Sequence, residues 1–294
     1  MATAAQWLEG ARPRTLPMAF APVIIGSAAA FGLGSFRPAN AVLAALVSVL
    51  LQIGVNYAND YSDGIRGTDD ERVGPLRLTG SGAAPARQVK LAAFACFGLA
   101  ALAGLALTIL SGAWVMLLVG VVCVAAAWGY TGGKNPYGYR GLGDVFVFVF
   151  FGLVATLGTT FTQADQLSGA AWVGAVSTGL IATALLMANN VRDIPTDSLV
   201  GKKTLAVRLG DRSARLTYVL MLAVAVLLPV FLVAEFPWVL LVLLLVPVCL
   251  RPCRVMLKGM QRKDLIPVLK QTGLINLAFS VLFSVGIVIS VQLA

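Results

Sequence analysis

Two clusters of acidic and amide side chains stand where apolar stretches of the sequence end. The first acidic cluster is Asn56, Asn59, Asp60 and Asp63, and the second acidic cluster is Asn189, Asn190, Asp193 and Asp197. Carboxylates crowded together raise each other's pKa unless a cation holds them. Oxygen ligands without His or Cys suit Mg²⁺, which binds one or two carboxylates together with substrate phosphates. The four aspartates are therefore predicted to bind Mg²⁺ and a diphosphate.

The two clusters repeat the same spacing. Asn56 precedes Asp60 by as many residues as Asn189 precedes Asp193. It follows that Asn189 lies as many residues after Asn56 as Asp193 lies after Asp60. This equal separation indicates a weak internal duplication. Repeats of this kind often place a site at their interface in membrane proteins.

Helical geometry gives each cluster a common direction. At 100° per residue, three side chains of the first cluster fall within about a 60° arc: Asn56, Asp60 and Asp63. Three of the second cluster would do the same: Asn190, Asp193 and Asp197. Pro195 tends to end or kink a helix, so Asp197 is expected on a loop or a new turn.

The elements that must position these side chains are membrane-spanning helices. Of the 294 residues, 59% are hydrophobic and 12% charged, whereas soluble domains carry about 25% charged residues. Nine apolar stretches come near the roughly 20 residues that cross a bilayer. They cover roughly 17–34, 40–58, 89–109, 112–130, 144–161, 169–189, 214–233, 237–251 and 270–293. The sequence predicts one all-α domain over residues 1–294, an integral membrane bundle of nine transmembrane helices.

Basic residues predict the orientation of this bundle. If the first helix enters from the cytoplasm, all Lys and Arg residues except Arg37 fall at the cytoplasmic side. Both acidic clusters then face the cytoplasm, in a multi-pass protein of the cell membrane with a cytoplasmic N-terminus. Helices one to four and five to eight form the two halves of the duplication, with helix nine added. The same rule explains the net charge of +9 without nucleic acid as a partner.

These features together resemble the UbiA superfamily of intramembrane aromatic prenyltransferases. The resemblance covers nearly the whole chain and rests on Asn59-Asp60-x-x-Asp63, on Asp193-x-x-x-Asp197 and on the nine predicted helices. Within the superfamily the chain is most similar to 1,4-dihydroxy-2-naphthoate prenyltransferases of menaquinone synthesis. The segments that carry this similarity are 12–17, 59–64 with 67–69, 137–144, and 189–197 with 201–207. Gly67 stands where the broader family often has a third acidic residue, and Asp69 is a candidate replacement as a metal ligand.

The resemblance implies a reaction. The four aspartates, helped by Asn56, Asn59 and Asn189, would hold Mg²⁺ on a polyprenyl diphosphate while the allylic C–O bond breaks. An allylic cation would be attacked by 1,4-dihydroxy-2-naphthoate, with loss of its carboxylate, which leads to demethylmenaquinone. The apolar walls would exclude water, and the prenyl tail would lie toward the lipid bilayer.

Cations and tyrosines beside the clusters are candidate substrate contacts. Arg192, Lys202 and Arg140 are expected to bind the diphosphate or a carboxylate, although the positive-inside rule alone also predicts cations there. Tyr130, Tyr137 and Tyr139 are candidates for the aromatic acceptor site. The chain has no His, so an acceptor base would be a carboxylate, a tyrosinate, water or the substrate itself.

Other functions remain open from the sequence. Hydroxybenzoate, homogentisate and haem are alternative aromatic acceptors. Asp60-x-x-Asp63-Gly64 also matches the start of the CDP-alcohol phosphotransferase signature, but the rest of that signature is missing. A cation transporter would place carboxylates through the membrane depth, whereas this chain places them almost wholly on one side.

Overall fold

The chain is a bundle of helices in its computed structural model, which describes residues 2–67, 76–260 and 262–294. No β-strand occurs in these ranges, so the all-α prediction is confirmed. The helices are α1 (Ala4–Gly10), α2 (Pro17–Gly32), α3 (Pro38–Ile65), α4 (Ala86–Ser111), α5 (Val115–Gly129), α6 (Gly143–Ala164), α7 (Gly169–Leu199), α8 (Leu205–Leu209), α9 (Asp211–Leu232), α10 (Pro237–Leu257) and α11 (Arg262–Leu293). Each of the nine predicted apolar stretches is mainly helical.

In the part of the chain that the structure describes, fewer helices are long and apolar enough to cross a membrane than there are apolar stretches in the sequence. Seven helices of the described chain are long and apolar enough to cross a membrane. The segments Ala4–Thr15 and Pro17–Gly32 meet at 47° and make an eighth crossing if they count as one. Helix α5 has 15 residues, fewer than the roughly 20 that a bilayer requires. The count of nine is therefore not confirmed, and the cytoplasmic N-terminus and the duplication stay predictions.

Helix α7 lies at the centre of the bundle, packed against α2, α6, α9 and α11. Its buried face is built largely from small and hydroxyl side chains, among them Ala170, Ala171, Gly174, Ala175, Ser177, Thr178 and Gly179. Small residues let helices approach closely in a membrane, where lipid is as apolar as leucine and burial of leucine drives little association. The second acidic cluster thus stands at the end of the best-packed helix.

A close approach of α6 and α7 depends on two glycines. Helix α6 contains a π-helical turn, Phe148–Val154, and such turns are frequent at functional sites. Within it, a Cβ atom added to Gly152 would lie 2.5 Å from the Cα atom of Gly179 and 2.8 Å from the carbonyl oxygen of Ala175. Both atoms belong to a backbone that cannot rotate away, so only glycine fits.

The substitution Gly152→Ala is expected to lower stability by about 1–3 kcal/mol, because α6 must move away from α7. Thermal unfolding in detergent measures this loss. Gly120→Ala is the matched control, since a Cβ there meets nothing within 4 Å in the described chain, and alanine favours a helix over glycine. Equal unfolding temperatures for the two variants would contradict the close packing.

Both acidic clusters lie on continuous helix. Helix α3 reaches Ile65 and therefore carries the whole first cluster. Helix α7 continues through Pro195 to Leu199, so the expectation that Asp197 lies on a loop or a new turn is wrong. The Thr196 hydroxyl donates to the carbonyl of Asp193 at 3.0 Å, and the Ser198 hydroxyl to that of Ile194 at 2.7 Å. These bonds occupy carbonyl groups of the last turns and help the helix to continue.

Candidate active site

Asp60 is held by the backbone of the segment that follows α3. Its two carboxylate oxygens accept the backbone N–H groups of Leu78 at 2.7 Å and Thr79 at 2.8 Å. The side chain is only 1% exposed. Two N–H donors fix the direction of this carboxylate, as charge-assisted hydrogen bonds do. Asp60 therefore anchors the loop to the end of α3.

Asp63 lies one turn further and contacts a tyrosine and a cation. The Tyr139 hydroxyl donates to Oδ1 of Asp63 at 2.8 Å, and Nη2 of Arg77 is 3.6 Å from Oδ2. Both side chains of this ion pair are almost buried. The guanidinium of Arg66 lies over the Tyr139 ring, 5.4 Å from its centre. One cation thus contacts the first cluster directly, and a second lies over the tyrosine that binds it.

Asp193 in the second cluster forms a two-point ion pair with its neighbour. Nε and Nη2 of Arg192 donate to the two oxygens of Asp193 at 2.7 and 2.6 Å. Nη2 also donates to Oδ1 of Asn189 at 2.9 Å, and the Asn189 amide approaches Asp193 at 3.4 Å. The Arg192 side chain is 4% exposed. These three side chains form one fixed polar unit on α7.

Asp197 and Lys202 connect the second cluster to the first. Nζ of Lys202 is 3.4 Å from Oδ1 of Asp197 and 5.3 Å from the centre of the Tyr139 ring. The backbone N–H of Lys203 donates to the carbonyl of Tyr139 at 3.0 Å. Because the Tyr139 hydroxyl also binds Asp63, a continuous chain of contacts joins the two clusters. This chain of contacts supports the prediction that both clusters face one site.

Tyr130 lies within electrostatic reach of both clusters. Burial raises the pKa of this phenol, and the negative charges of Asp144, Asp63 and Asp197 raise it further. Burial also raises the pKa of Tyr137. Both phenols are therefore protonated near neutral pH, which disfavours a tyrosinate at either position as the acceptor base.

The other predicted site residues make contacts outside this chain of contacts or differ in their exposure. The Asn59 side-chain oxygen accepts the Thr131 hydroxyl at 2.7 Å, which ties α3 to the segment after α5. The Asn56 amide donates to Ala11 and Thr15 of the N-terminal segment at 2.9 and 3.1 Å. Asn190 is buried, Arg140 is exposed, and the Tyr137 hydroxyl donates to the Ala126 carbonyl at 2.8 Å. Asp69 lies outside the described residues.

Three charged residues at the site escaped the sequence analysis. Arg66 and Arg77 flank the segment 68–75, and nothing in their spacing distinguishes them from ordinary cytoplasmic cations. Asp144 is 3% exposed at the start of α6. A single acidic residue at a helix start also has an ordinary explanation as a partner of the helix dipole.

The acidic clusters suit a metal ion whose remaining coordination positions are filled by the phosphate oxygens of a bound ligand. No group of three acidic or cysteine side chains that could hold a metal ion occurs within the described ranges. Mg²⁺ needs only one or two carboxylates when phosphates supply further oxygens. Two aspartates on each helix match this requirement, and they are carboxylates rather than the nitrogen and sulfur ligands that zinc prefers.

The substitution Tyr139→Phe is expected to lower kcat/KM for the predicted diphosphate substrate about tenfold or more, since a hydrogen bond to a charged group contributes about 1.5–3 kcal/mol. Steady-state kinetics with varied concentrations of that substrate measure the change. Tyr61→Phe is the matched control, because that ring stacks on Trp128 at 6.2 Å, on α5. If Tyr139→Phe and Tyr61→Phe behave alike, Tyr139 does not organise the site.

Comparison with known proteins gives one consistent result. The model of the UbiA prenyltransferase family matches residues 19–288. The 1,4-dihydroxy-2-naphthoate octaprenyltransferase of Mycobacterium tuberculosis is 52% identical over 283 residues, covering 95% of this chain and 96% of that protein. The apo structure of a UbiA homolog from Aeropyrum pernix K1 has a TM-score of 0.71 at 19% identity, covering 94% of this chain and 98% of that one. A UbiA homolog from Archaeoglobus fulgidus, bound to GPP and Mg²⁺, has a TM-score of 0.67 at 16% identity, with 96% and 99% covered.

Proposed function

Because the chain belongs to the UbiA prenyltransferase family, we propose that it transfers a polyprenyl group from polyprenyl diphosphate to 1,4-dihydroxy-2-naphthoate, with decarboxylation. The observation that carries this proposal is the chain of contacts from Asp63 through Tyr139 and Lys202 to Asp197. It joins the carboxylate pair on α3 to the carboxylate pair on α7. A diphosphate has two phosphate groups, and it would bind between these two pairs. The names of the similar proteins support the naphthoate acceptor.

The aspartates would bind the diphosphate through Mg²⁺. Asp60 and Asp63 offer one pair of carboxylates, and Asp193 and Asp197 offer the other. When bound by these carboxylates, Mg²⁺ would supply positive charge against the diphosphate leaving group. The fixed hydrogen bonds to Asp60 and Asp193 keep these carboxylates oriented, so little reorganisation accompanies the reaction.

Cations beside the carboxylates would contact the diphosphate itself. Lys202 lies 3.4 Å from Asp197, and Arg77 lies 3.6 Å from Asp63. A phosphate oxygen close to these carboxylates is within reach of the same cations. Arg192 holds Asp193 with two hydrogen bonds and also reaches Asn189, so its first role is to orient the second cluster.

The products follow from the chemistry of the two substrates. The electron-rich naphthoate ring forms a C–C bond to the allylic carbon, while diphosphate leaves with the electrons of the C–O bond. The ring carboxylate leaves as CO₂ and the ring regains aromaticity. Apolar helices around the site keep water from the allylic cation. Their outer faces carry exposed leucine, valine and phenylalanine side chains, as contact with lipid requires.

The test is a product assay with protein in lipid nanodiscs, Mg²⁺ and a labelled polyprenyl diphosphate. We expect 1,4-dihydroxy-2-naphthoate to give a prenylated product that has lost CO₂, and 4-hydroxybenzoate and homogentisate to give none. Turnover with one of those acceptors instead would replace the naphthoate but keep the prenyl transfer. Release of CMP from a CDP-alcohol, or Mg²⁺ flux without a prenyl donor, would contradict the proposal.

A further inference from the structure

A buried carboxylate beside the site lacks the partner that such a group requires. Asp144 is 3% exposed, and neither of its carboxylate oxygens has a hydrogen-bond partner among the described residues. Asp60, by contrast, has two backbone donors, and Asp193 has Arg192. A buried charge without a partner is strongly unfavourable and persists where function requires it. Asp144 is therefore a candidate for contact with a ligand.

The position of Asp144 connects it to both acidic clusters. After burial, its charge is the largest influence on the pKa of Tyr130, ahead of the charges of Asp63 and Asp197. A Cβ added to the preceding residue, Gly143, would lie 3.3 Å from the Tyr130 ring and 3.5 Å from its hydroxyl. One phenol thus lies beside the start of α6 and within electrostatic reach of Asp144 and of an aspartate from each cluster.

Aromatic side chains line the start of the same helix. Tyr137 stacks on Phe146 with ring centres 3.9 Å apart, and Tyr130 meets Tyr137 edge-on at 5.5 Å. Phe150, in the π-helical turn, follows Phe146 at 5.8 Å. Flat rings of this kind stack well on a further aromatic ring. A carboxylate that accepts hydrogen bonds beside an aromatic wall suits a hydroxylated aromatic molecule.

We propose that Asp144 binds the aromatic acceptor by accepting a hydrogen bond from one of its ring hydroxyl groups. This inference rests on the proposed function, since it names a contact of the same reaction. The hydrogen bond gives the buried carboxylate its missing partner and raises electron density on the ring. It also fixes the ring beside Tyr130, which lies within electrostatic reach of both acidic clusters.

The first variant is Asp144→Asn, which keeps the size of the side chain and removes its charge. We expect kcat/KM for the acceptor to fall about 10- to 100-fold, the range for one charge-assisted hydrogen bond. KM for the donor and the Mg²⁺ concentration for half-maximal rate are expected to stay unchanged. The unfolding temperature is expected to stay equal or rise, because an unpartnered buried charge is removed.

Asp165→Asn is the matched control, since Asp165 follows the opposite end of α6 and is exposed. Asparagine tolerates the left-handed backbone at that position, where φ is 55°. This variant is expected to leave all four measurements unchanged. A fall in acceptor kcat/KM equal to that of Asp144→Asn would overturn the assignment.

Monomethyl ethers of the dihydroxynaphthoate separate binding from a structural role. In the unchanged protein, methylation of the hydroxyl that Asp144 binds is expected to lower kcat/KM about as much as Asp144→Asn does. In Asp144→Asn the same methylation is expected to have little further effect, because the two changes remove one contact. Additive losses for both ethers would overturn the proposal.

Two other results would also overturn it. A higher Mg²⁺ requirement or donor KM in Asp144→Asn would make Asp144 part of the metal and diphosphate site. A lower unfolding temperature with an unchanged acceptor KM would make it a structural residue. Failure of the proposed function itself is distinguishable, since the unchanged protein would then prenylate no aromatic acceptor.

Discussion

Replacing Asp63 or Asp193 with Asn is expected to lower kcat for prenyl transfer about a thousandfold in each case, because one fewer carboxylate holds the charge that stabilises the leaving diphosphate. The two substitutions lie on different helices, α3 and α7. Equal losses are expected, since a diphosphate that bridges the clusters depends on both. Single-turnover measurement of product with saturating donor and acceptor checks the result.

Asp211→Asn is the control for this loss. Asp211 has the same side chain and also pairs with a cation, Arg215, at 2.8 Å, but its side chain is 54% exposed. The Arg215 side chain is 5% exposed and also donates from Nη1 to the carbonyl of Met256 at 3.1 Å. An asparagine oxygen at position 211 can still accept from Nε of Arg215, so this variant should keep its rate and its fold. Loss of activity in Asp63→Asn together with a rate near that of the unchanged protein in Asp193→Asn would contradict a shared site.

Removal of divalent metal is expected to abolish both turnover and donor binding. Two carboxylates in each cluster and a diphosphate are all anionic, and they repel one another without a cation between them. With Mg²⁺, donor at a hundred times its Kd should stabilise the protein by about 2.7 kcal/mol. With EDTA this stabilisation should disappear, and added Mg²⁺ should restore it.

Thermal unfolding with a thiodiphosphate analogue of the donor measures this effect without turnover. In the alternative explanation, the diphosphate is bound without a metal by the cations that already pair with the aspartates, namely Arg77, Arg192 and Lys202. Stabilisation by the analogue that is equal with and without EDTA would show that these cations, rather than a metal, bind the diphosphate.

The acidic clusters could be predicted because helical periodicity constrains them. Asp60 and Asp63 continue an apolar stretch, so a helix of period 3.6 places them on one face. The end of α7 was harder, since Pro195 removes one backbone donor but leaves the last turn in place. The hydroxyl groups of Thr196 and Ser198 donate hydrogen bonds to carbonyl groups of that turn. The helix propensities of single residues do not account for such side-chain bonds.

The rest of the site depends on contacts between distant segments. Tyr139 touches Asp63 and Lys202 only because the segment after α5 crosses the ends of both α3 and α7. Its spacing in the sequence carries no sign of this. Asp144 cannot be recognised as a site residue from the sequence for a similar reason, because the lack of a hydrogen-bond partner is a property of the folded chain. The number of membrane crossings also depends on how α1 and α2 bend, which composition does not determine.

Binding of Mn²⁺ in place of Mg²⁺, followed by electron paramagnetic resonance, tests most directly whether both clusters form one diphosphate site. The titration uses the thiodiphosphate analogue with the unchanged protein, Asp63→Asn and Asp193→Asn. We predict Mn²⁺ binding that requires the analogue in the unchanged protein and is lost in each variant separately. Binding that persists undiminished in either variant, or that does not depend on the analogue, would contradict a diphosphate held between α3 and α7.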